Sequence, residues 1–197
     1  DVLRLEVDVG DHRDLRLVGD RGQGVGIVLR RDGDAHDVTL PVLAGQRDIY
    51  LSMQASDDPA LYVTGLYVEV DGRIDVDRLR GSLLAVLDTA EALRAVFVEQ
   101  DGDVRQRILP MTDFGVALRE MTVAEAHEWM AAELARPMDV AHDPLIEISI
   151  IRTGTGTDTG HTTPTLVFLK VHHLVCDGMG LGFFTQAVQE HYDAADT

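Results

Sequence analysis

Two adjacent histidines, an aspartate and a glycine lie within seven residues near the end of this 197-residue chain. They are His172, His173, Asp177 and Gly178, and they follow an apolar run directly. An imidazole exchanges protons near neutral pH, a buried carboxylate holds neighbouring backbone and charge in place, and a glycine lets another molecule approach the main chain. Strand ends often carry catalytic groups, because the strand is rigid and the following loop is free to vary. The pattern therefore predicts a reactive site at the end of a buried strand.

Two other interpretations use the same segment. Cys176 lies inside it and could act as a nucleophile paired with a histidine. The two histidines and Asp177 could also be metal ligands, but no second cluster with convincing ligand spacing occurs. The simplest structural interpretation is a hydrogen-bonded histidine, a solvated turn aspartate and a turn glycine.

Patterns of strand and helix alternate from residue 41 onward. Asp75 is a predicted N-cap before an apolar helical stripe, Thr122 and Glu125 form a capping box, and Asp101-Gly102 is a hairpin signal. Strands are predicted over 61–70, 95–98, 104–109, 145–151 and 165–171, and a helix after Gly178. Residues 1–40 differ from the rest: short β-like runs are separated by turn signals, which predicts a β-rich N-terminal extension.

Bulk composition excludes several classes of protein. A net charge of −17 argues against nucleic acid and anionic membranes as partners, since both need a basic face. No apolar run approaches the roughly 20 residues of a membrane span, and no signal-peptide pattern opens the chain. The single cysteine excludes an internal disulfide and fits a cytoplasmic protein. The absence of an initiator Met suggests a piece of a longer polypeptide.

The pattern His-His-x-x-x-Asp-Gly resembles the signature of the condensation-domain superfamily, which includes condensation domains of nonribosomal peptide synthetases and chloramphenicol acetyltransferase. Upstream segments resemble the condensation branch in particular, and they follow one another in that family's order. They are residues 43–51, 72–79, 91–97 and 143–145. The resemblance covers about residues 41–197 and identifies them as the N-terminal lobe of a condensation domain.

The resemblance implies a single lobe of the chloramphenicol acetyltransferase-like fold, a two-layer α/β sandwich with a mixed sheet. It implies an amide-forming acyltransferase that joins aminoacyl or peptidyl thioesters in nonribosomal peptide synthesis. The substrates would be carried on the 4′-phosphopantetheine of donor and acceptor carrier proteins, with no cofactor or metal bound directly. The C-terminal lobe of the same domain would be a further partner, and the isolated lobe would be inactive.

The resemblance also assigns roles to the site residues. His173 would face the reaction channel as a base or an electrostatic stabiliser. Adjacent side chains at the end of a strand point in opposite directions, which favours a structural role for His172. Asp177 would form a buried ion pair with Arg94 that aims His173. Gly178 would let the pantetheine arm pass or offer its N–H to an oxyanion, and Cys176 would occupy a variable packing position.

Two alternatives remain open at this point. The motif also resembles free-standing trimeric acetyltransferases of the chloramphenicol type, whose sites lie between subunits. The chain could instead be a non-catalytic interaction module, although the intact motif argues against this. A trimer in solution would favour the acetyltransferase, and a monomer would favour a half-domain.

Overall fold

A computed structural model describes residues 39–70, 74–154 and 164–194. The predicted β-rich extension therefore lies outside the described residues, apart from its last two positions. Those two open a short strand, β1 (Thr39–Pro41), which crosses the predicted boundary between the extension and the lobe. The division of the chain at residue 41 stays a prediction.

The elements of the described ranges largely follow the predicted order. They are β1, α1 (Ala44–Gln54), β2 (Val63–Val70), α2 (Val76–Thr89), β3 (Ala95–Gln100), β4 (Asp103–Ile108), β5 (Val116–Glu120), α3 (Val123–Leu134), β6 (Ile146–Arg152), β7 (Thr165–His172) and α4 (Gly178–Ala194). Single 3₁₀ turns at Glu91–Arg94 and Met111–Asp113 precede β3 and β5. Helix α1 and strand β5 had no predicted counterpart.

The strands form two separate sheets. A four-stranded sheet has the order β2-β7-β6-β5, in which β7 runs antiparallel to both neighbours and β5 runs parallel to β6. A three-stranded antiparallel sheet has the order β1-β4-β3. The predicted α/β fold with a mixed sheet is confirmed.

Local signals of the sequence explain where several elements begin. Asp75 Oδ1 accepts a hydrogen bond from Arg78 N at 3.0 Å and caps α2. Thr122 and Glu125 form the predicted capping box of α3, with the side chain of each accepting from the backbone N–H of the other. The turn between β3 and β4 has positive φ at Asp101 and Gly102, 54° and 80°. This is the geometry that a two-residue hairpin of this sequence favours.

Apolar side chains cover both faces of the four-stranded sheet. Helices α2 and α4 pack on one face through buried leucines and Phe184, and α3 packs on the other through Ala126 and Met130. Helix α1 packs instead with the three-stranded sheet, where Tyr50 lies in a core cluster with Phe97. The cluster around Tyr50 and Phe97 also contains Leu174, which comes directly after the histidines, so it links α1 to the site.

A charged cluster lies between α3 and the sheet. The Lys170 side chain is only 1% exposed, and its Nζ lies 3.7 Å from Glu133 Oε2 and 4.0 Å from Glu147 Oε1. Arg136 pairs with the same two carboxylates at 2.7 and 2.5 Å. Burial lowers the pKa of Lys170, so its charge depends on these carboxylates. The sequence predicted a buried strand over 165–171, but it gave no sign of the carboxylates that lie near Lys170.

Gly65 and Gly81 provide a matched test of the packing around β2. A Cβ at Gly65 would lie 2.7 Å from Leu169 O and 2.9 Å from Leu134 Cδ2, whereas one at Gly81 in α2 would meet no atom within 4 Å. We expect Gly65→Ala to destabilise the fold by roughly 1–3 kcal/mol through overpacking. Gly81→Ala should stabilise it by roughly 0.5–1 kcal/mol, because alanine loses less backbone entropy in a helix. Urea unfolding of both variants measures this, and equal effects would contradict the packing.

Candidate active site

The two histidines lie at the C-terminal end of β7, a central strand of the four-stranded sheet. All eight of its residues are buried, and it is hydrogen-bonded to β2 on one side and β6 on the other. At its end, His172 N donates to Leu145 O and His173 N donates to Tyr62 O, both at 2.9 Å. Both histidine backbones are therefore held by neighbouring chain segments at the point where the strand stops.

A β-turn follows immediately and separates the environments of the two histidines. Val175 N donates to His172 O at 3.0 Å, so His173 and Leu174 are the central residues of the turn. His172 is 1% exposed and Leu174 is 2% exposed, whereas His173 is exposed to solvent. The turn thus presents one imidazole outward and buries the side chains on either side of it.

The buried His172 has a structural role in this turn. Its Nδ1 lies 3.1 Å from Leu174 N and accepts that N–H, which places the proton of the neutral ring on Nε2. Burial, with a smaller contribution from the charge of His173, lowers the pKa of His172 to about 4. The ring is therefore neutral near pH 7 and able to accept this hydrogen bond.

Asp177 caps the helix that follows the turn. Its Oδ1 accepts from Gly180 N at 2.8 Å, and its backbone carbonyl accepts from Leu181 N at 3.0 Å. This is the arrangement of an N-cap residue, whose side chain satisfies an N–H in the first turn of the helix. Asp177 itself is exposed.

The predicted ion pair between Asp177 and Arg94 is wrong. The Arg94 guanidinium is buried, and it donates from Nη1 to Leu109 O at 2.7 Å and from Nη2 to Asp88 O at 3.2 Å. Backbone carbonyls thus take the place of the expected carboxylate, and Asp177 bonds to its own helix instead. Arg94 joins the end of α2 to the segment after β4, and among the described residues it forms no hydrogen bond or ion pair with Asp177.

Gly180, rather than Gly178, is the position next to the motif where a side chain would not fit. A Cβ at position 180 would lie 2.6 Å from Cys176 Sγ and 3.4 Å from Asp177 Oδ1, whereas one at Gly178 would meet nothing within 4 Å. Sequence reasoning singled out Gly178 alone. The open space beside Gly178 is compatible with its expected role next to a substrate arm, which stays a prediction.

The two alternative chemistries receive no support from the structure. Burial, together with the nearby Asp177 charge, raises the pKa of Cys176 to about 12, so its thiol is protonated near neutral pH and is a poor nucleophile. In the ranges that the structure covers, no three His, Cys, Asp or Glu side chains are grouped so that they could hold a metal ion.

Gln46 is a contact of the motif that sequence reasoning missed. It lies in the first turn of α1, and its Nε2 donates to Leu174 O at 3.0 Å. The resemblance had marked residues 43–51 without giving any of them a role. The two residues are 128 positions apart, so local patterns contain no signal of this hydrogen bond.

Comparison with known proteins identifies the family. The profile of the family described as "Condensation domain" matches residues 37–197. The chain belongs to the condensation-domain family.

Curated relatives and solved structures agree with this assignment. The chain is 30% identical over 168 residues to isonitrile lipopeptide synthase from Streptomyces coeruleorubidus, covering 82% of the chain and 11% of that protein. It is 28% identical over 155 residues to surfactin synthase subunit 1 from Bacillus subtilis, covering 79% of the chain and 4% of that protein. The crystal structure of the starter condensation domain of rhizomide synthetase RzmA matches with a TM-score of 0.70 at 25% identity, covering 81% of the chain and 38% of that structure.

The chain thus spans only a small part of the curated relatives it matches.

Within the described parts of the chain, no helix is both long enough and apolar enough to cross a membrane.

The N-cap role of Asp177 predicts a distinctive pair of stabilities. Asp177→Ala should cost about 1 kcal/mol of unfolding free energy, because the Gly180 N–H loses its acceptor. Asp177→Asn should stay within about 0.5 kcal/mol of the original protein, since asparagine caps helices equally well. Urea denaturation measures both. A loss of several kcal/mol in the asparagine variant would contradict the capping role and would favour a buried ion pair of Asp177 instead.

The low pKa of His172 predicts a loss of stability in mild acid. Above about pH 6.5 the His172 ring is neutral in both the folded and the unfolded protein. Between about pH 6.5 and pH 4 the ring binds a proton in the unfolded chain but stays neutral in the folded protein. At about 1.4 kcal/mol per pKa unit, up to roughly 3 kcal/mol is lost as the pH falls through this window. His172→Asn keeps an acceptor for Leu174 N but does not titrate. Its unfolding free energy should therefore fall less between pH 7 and 4, and parallel curves for the two proteins would contradict this account.

Proposed function

We propose that this chain is the N-terminal lobe of a condensation domain that forms peptide bonds in nonribosomal peptide synthesis, with His173 as its catalytic residue. The observation that carries the proposal is the exposed His173 imidazole at the end of a fully buried strand, between the buried side chains of His172 and Leu174. Membership of the condensation-domain family supports the same chemistry.

The proposed reaction is acyl transfer from a thioester to an amine. The amine nitrogen attacks the thioester carbonyl, a C–N bond forms, and a tetrahedral oxyanion results. The C–S bond then breaks, and the thiolate leaves and is protonated by the proton that the amine has lost. A neutral His173 imidazole would accept that proton or stabilise the charged intermediate, and either role needs an accessible ring.

We propose that both substrates are thioesters on the 4′-phosphopantetheine of donor and acceptor carrier proteins. The matched relatives include an isonitrile lipopeptide synthase and a dimodular nonribosomal peptide synthase, and one RzmA structure with a TM-score of 0.71 was solved in complex with C8-CoA. We infer no directly bound cofactor. The thioester itself supplies the activated carbonyl.

A second lobe would complete the site. The first turns of α4 carry two exposed apolar side chains, Met179 at 62% and Phe183 at 66%, one helical turn apart and next to the motif. Exposed apolar pairs beside a reactive site are typical of surfaces that another part of a protein covers. We therefore propose that the C-terminal lobe contacts this surface and that the lobe alone is inactive.

The proposal predicts that His173→Ala abolishes condensation in the intact two-lobe domain. We expect product formation to fall by at least about a hundredfold, since acid–base and electrostatic groups contribute on this scale. Loaded carrier proteins and mass spectrometry of the product measure this. The thermal melt should hardly change, because the side chain is exposed.

His127→Ala is the matched control, because His127 is an exposed histidine on α3, whose ring packs against Tyr67 instead of lying next to the motif. It should leave product formation close to that of the original protein. Near-full activity of His173→Ala would refute the proposed function. Activity with free coenzyme A thioesters in a trimeric species would favour the acetyltransferase alternative instead.

A further inference from the structure

Gln46 of helix α1 makes two hydrogen bonds through its side chain, and one of them reaches the motif turn. Gln46 Oε1 accepts from Leu43 N at 2.9 Å, and this bond stabilises the beginning of α1. Gln46 Nε2 donates to Leu174 O at 3.0 Å. The carboxamide is thus fixed at its oxygen by its own helix, and its amino group is left to hold a carbonyl of the turn.

Leu174 is held from three directions as a result. Its N–H donates to His172 Nδ1, its carbonyl accepts from Gln46, and its side chain is buried in the cluster that contains Tyr50 of the same α1 helix. Leu174 is the second central residue of the turn and His173 is the first. The direction in which the exposed imidazole points depends on the backbone of this turn, and the turn is held by α1.

We propose that Gln46 is a positioning residue that sets the orientation of His173 by holding the Leu174 carbonyl. The inference rests on the proposed function, because it assigns Gln46 a part in the same reaction. A hydrogen bond between neutral groups makes only a modest net contribution to stability, whereas a misplacement of about 1 Å in a reactive group can cost about a hundredfold in rate. Loss of this contact should therefore affect turnover far more than folding.

Gln46→Glu separates the two hydrogen bonds of this side chain. A glutamate at position 46 keeps an oxygen for Leu43 N–H but has no N–H to give to Leu174 O. In the intact two-lobe domain we expect kcat to fall about tenfold or more, with KM for both carrier-bound substrates within about twofold. Gln46→Met removes both bonds without adding charge and should lower kcat by a similar factor.

Gln106→Glu is the matched control. Gln106 Nε2 donates to a backbone carbonyl, that of Pro41, at 2.9 Å, and this bond lies in the three-stranded sheet away from the motif. The substitution makes the same chemical change at the same kind of contact. It should leave kcat and KM close to those of the original protein.

The outcomes distinguish this inference from the proposed function when His173→Ala is assayed alongside. Loss of activity in His173→Ala with unchanged kcat in Gln46→Met would overturn the role of Gln46 alone. The same holds if only the glutamate variant is impaired, which would indicate a charge effect, or if KM rises while kcat stays constant. Full activity of His173→Ala would overturn the proposed function itself. A fall in kcat in both Gln46 variants, with constant KM and an active Gln106→Glu, supports the inference.

Discussion

The complete burial of β7 between β2 and β6 is the constraint on which the site depends. A strand hydrogen-bonded on both sides, with helices packed over both faces of its sheet, has little freedom to slide or tilt. A one-residue slip would move every side chain of the strand to the opposite face of the sheet and disrupt its packing against the helices on both sides. The position of the exposed His173 imidazole therefore depends on apolar packing in a core to which His173 itself does not belong.

Each residue of the motif segment has a different structural role. His172 is neutral and buried and closes the turn from inside, Asp177 begins the next helix, and Gly180 gives Cys176 and Asp177 the space they occupy. His173 is the histidine of the motif whose ring is exposed to solvent. In the proposed function it is the reactive group, and His172, Asp177 and Gly180 shape the backbone around it.

Local patterns in the sequence were enough to predict much of this fold, because the caps of α2 and α3, the Asp101-Gly102 hairpin and the apolar strands are determined by neighbouring residues. The contrast between the two histidines also followed from strand geometry. Contacts between distant segments were harder. The partner of Arg94 was wrongly predicted, because a buried guanidinium can also donate to backbone carbonyls, which no sequence pattern marks. The burial of Lys170 and the bond from Gln46 to Leu174 depend on the tertiary arrangement, which no local spacing reports.

The hydrogen bond between Gln46 and Leu174 has a consequence for recombination among condensation domains. A chimera whose crossover falls between α1 and β7 would take the two partners of this bond from different parents. The helix from one parent would then meet a turn that evolved beside another helix, even if each part folded well. Fragments exchanged between such enzymes should keep the residues from α1 to the motif together as one inherited block.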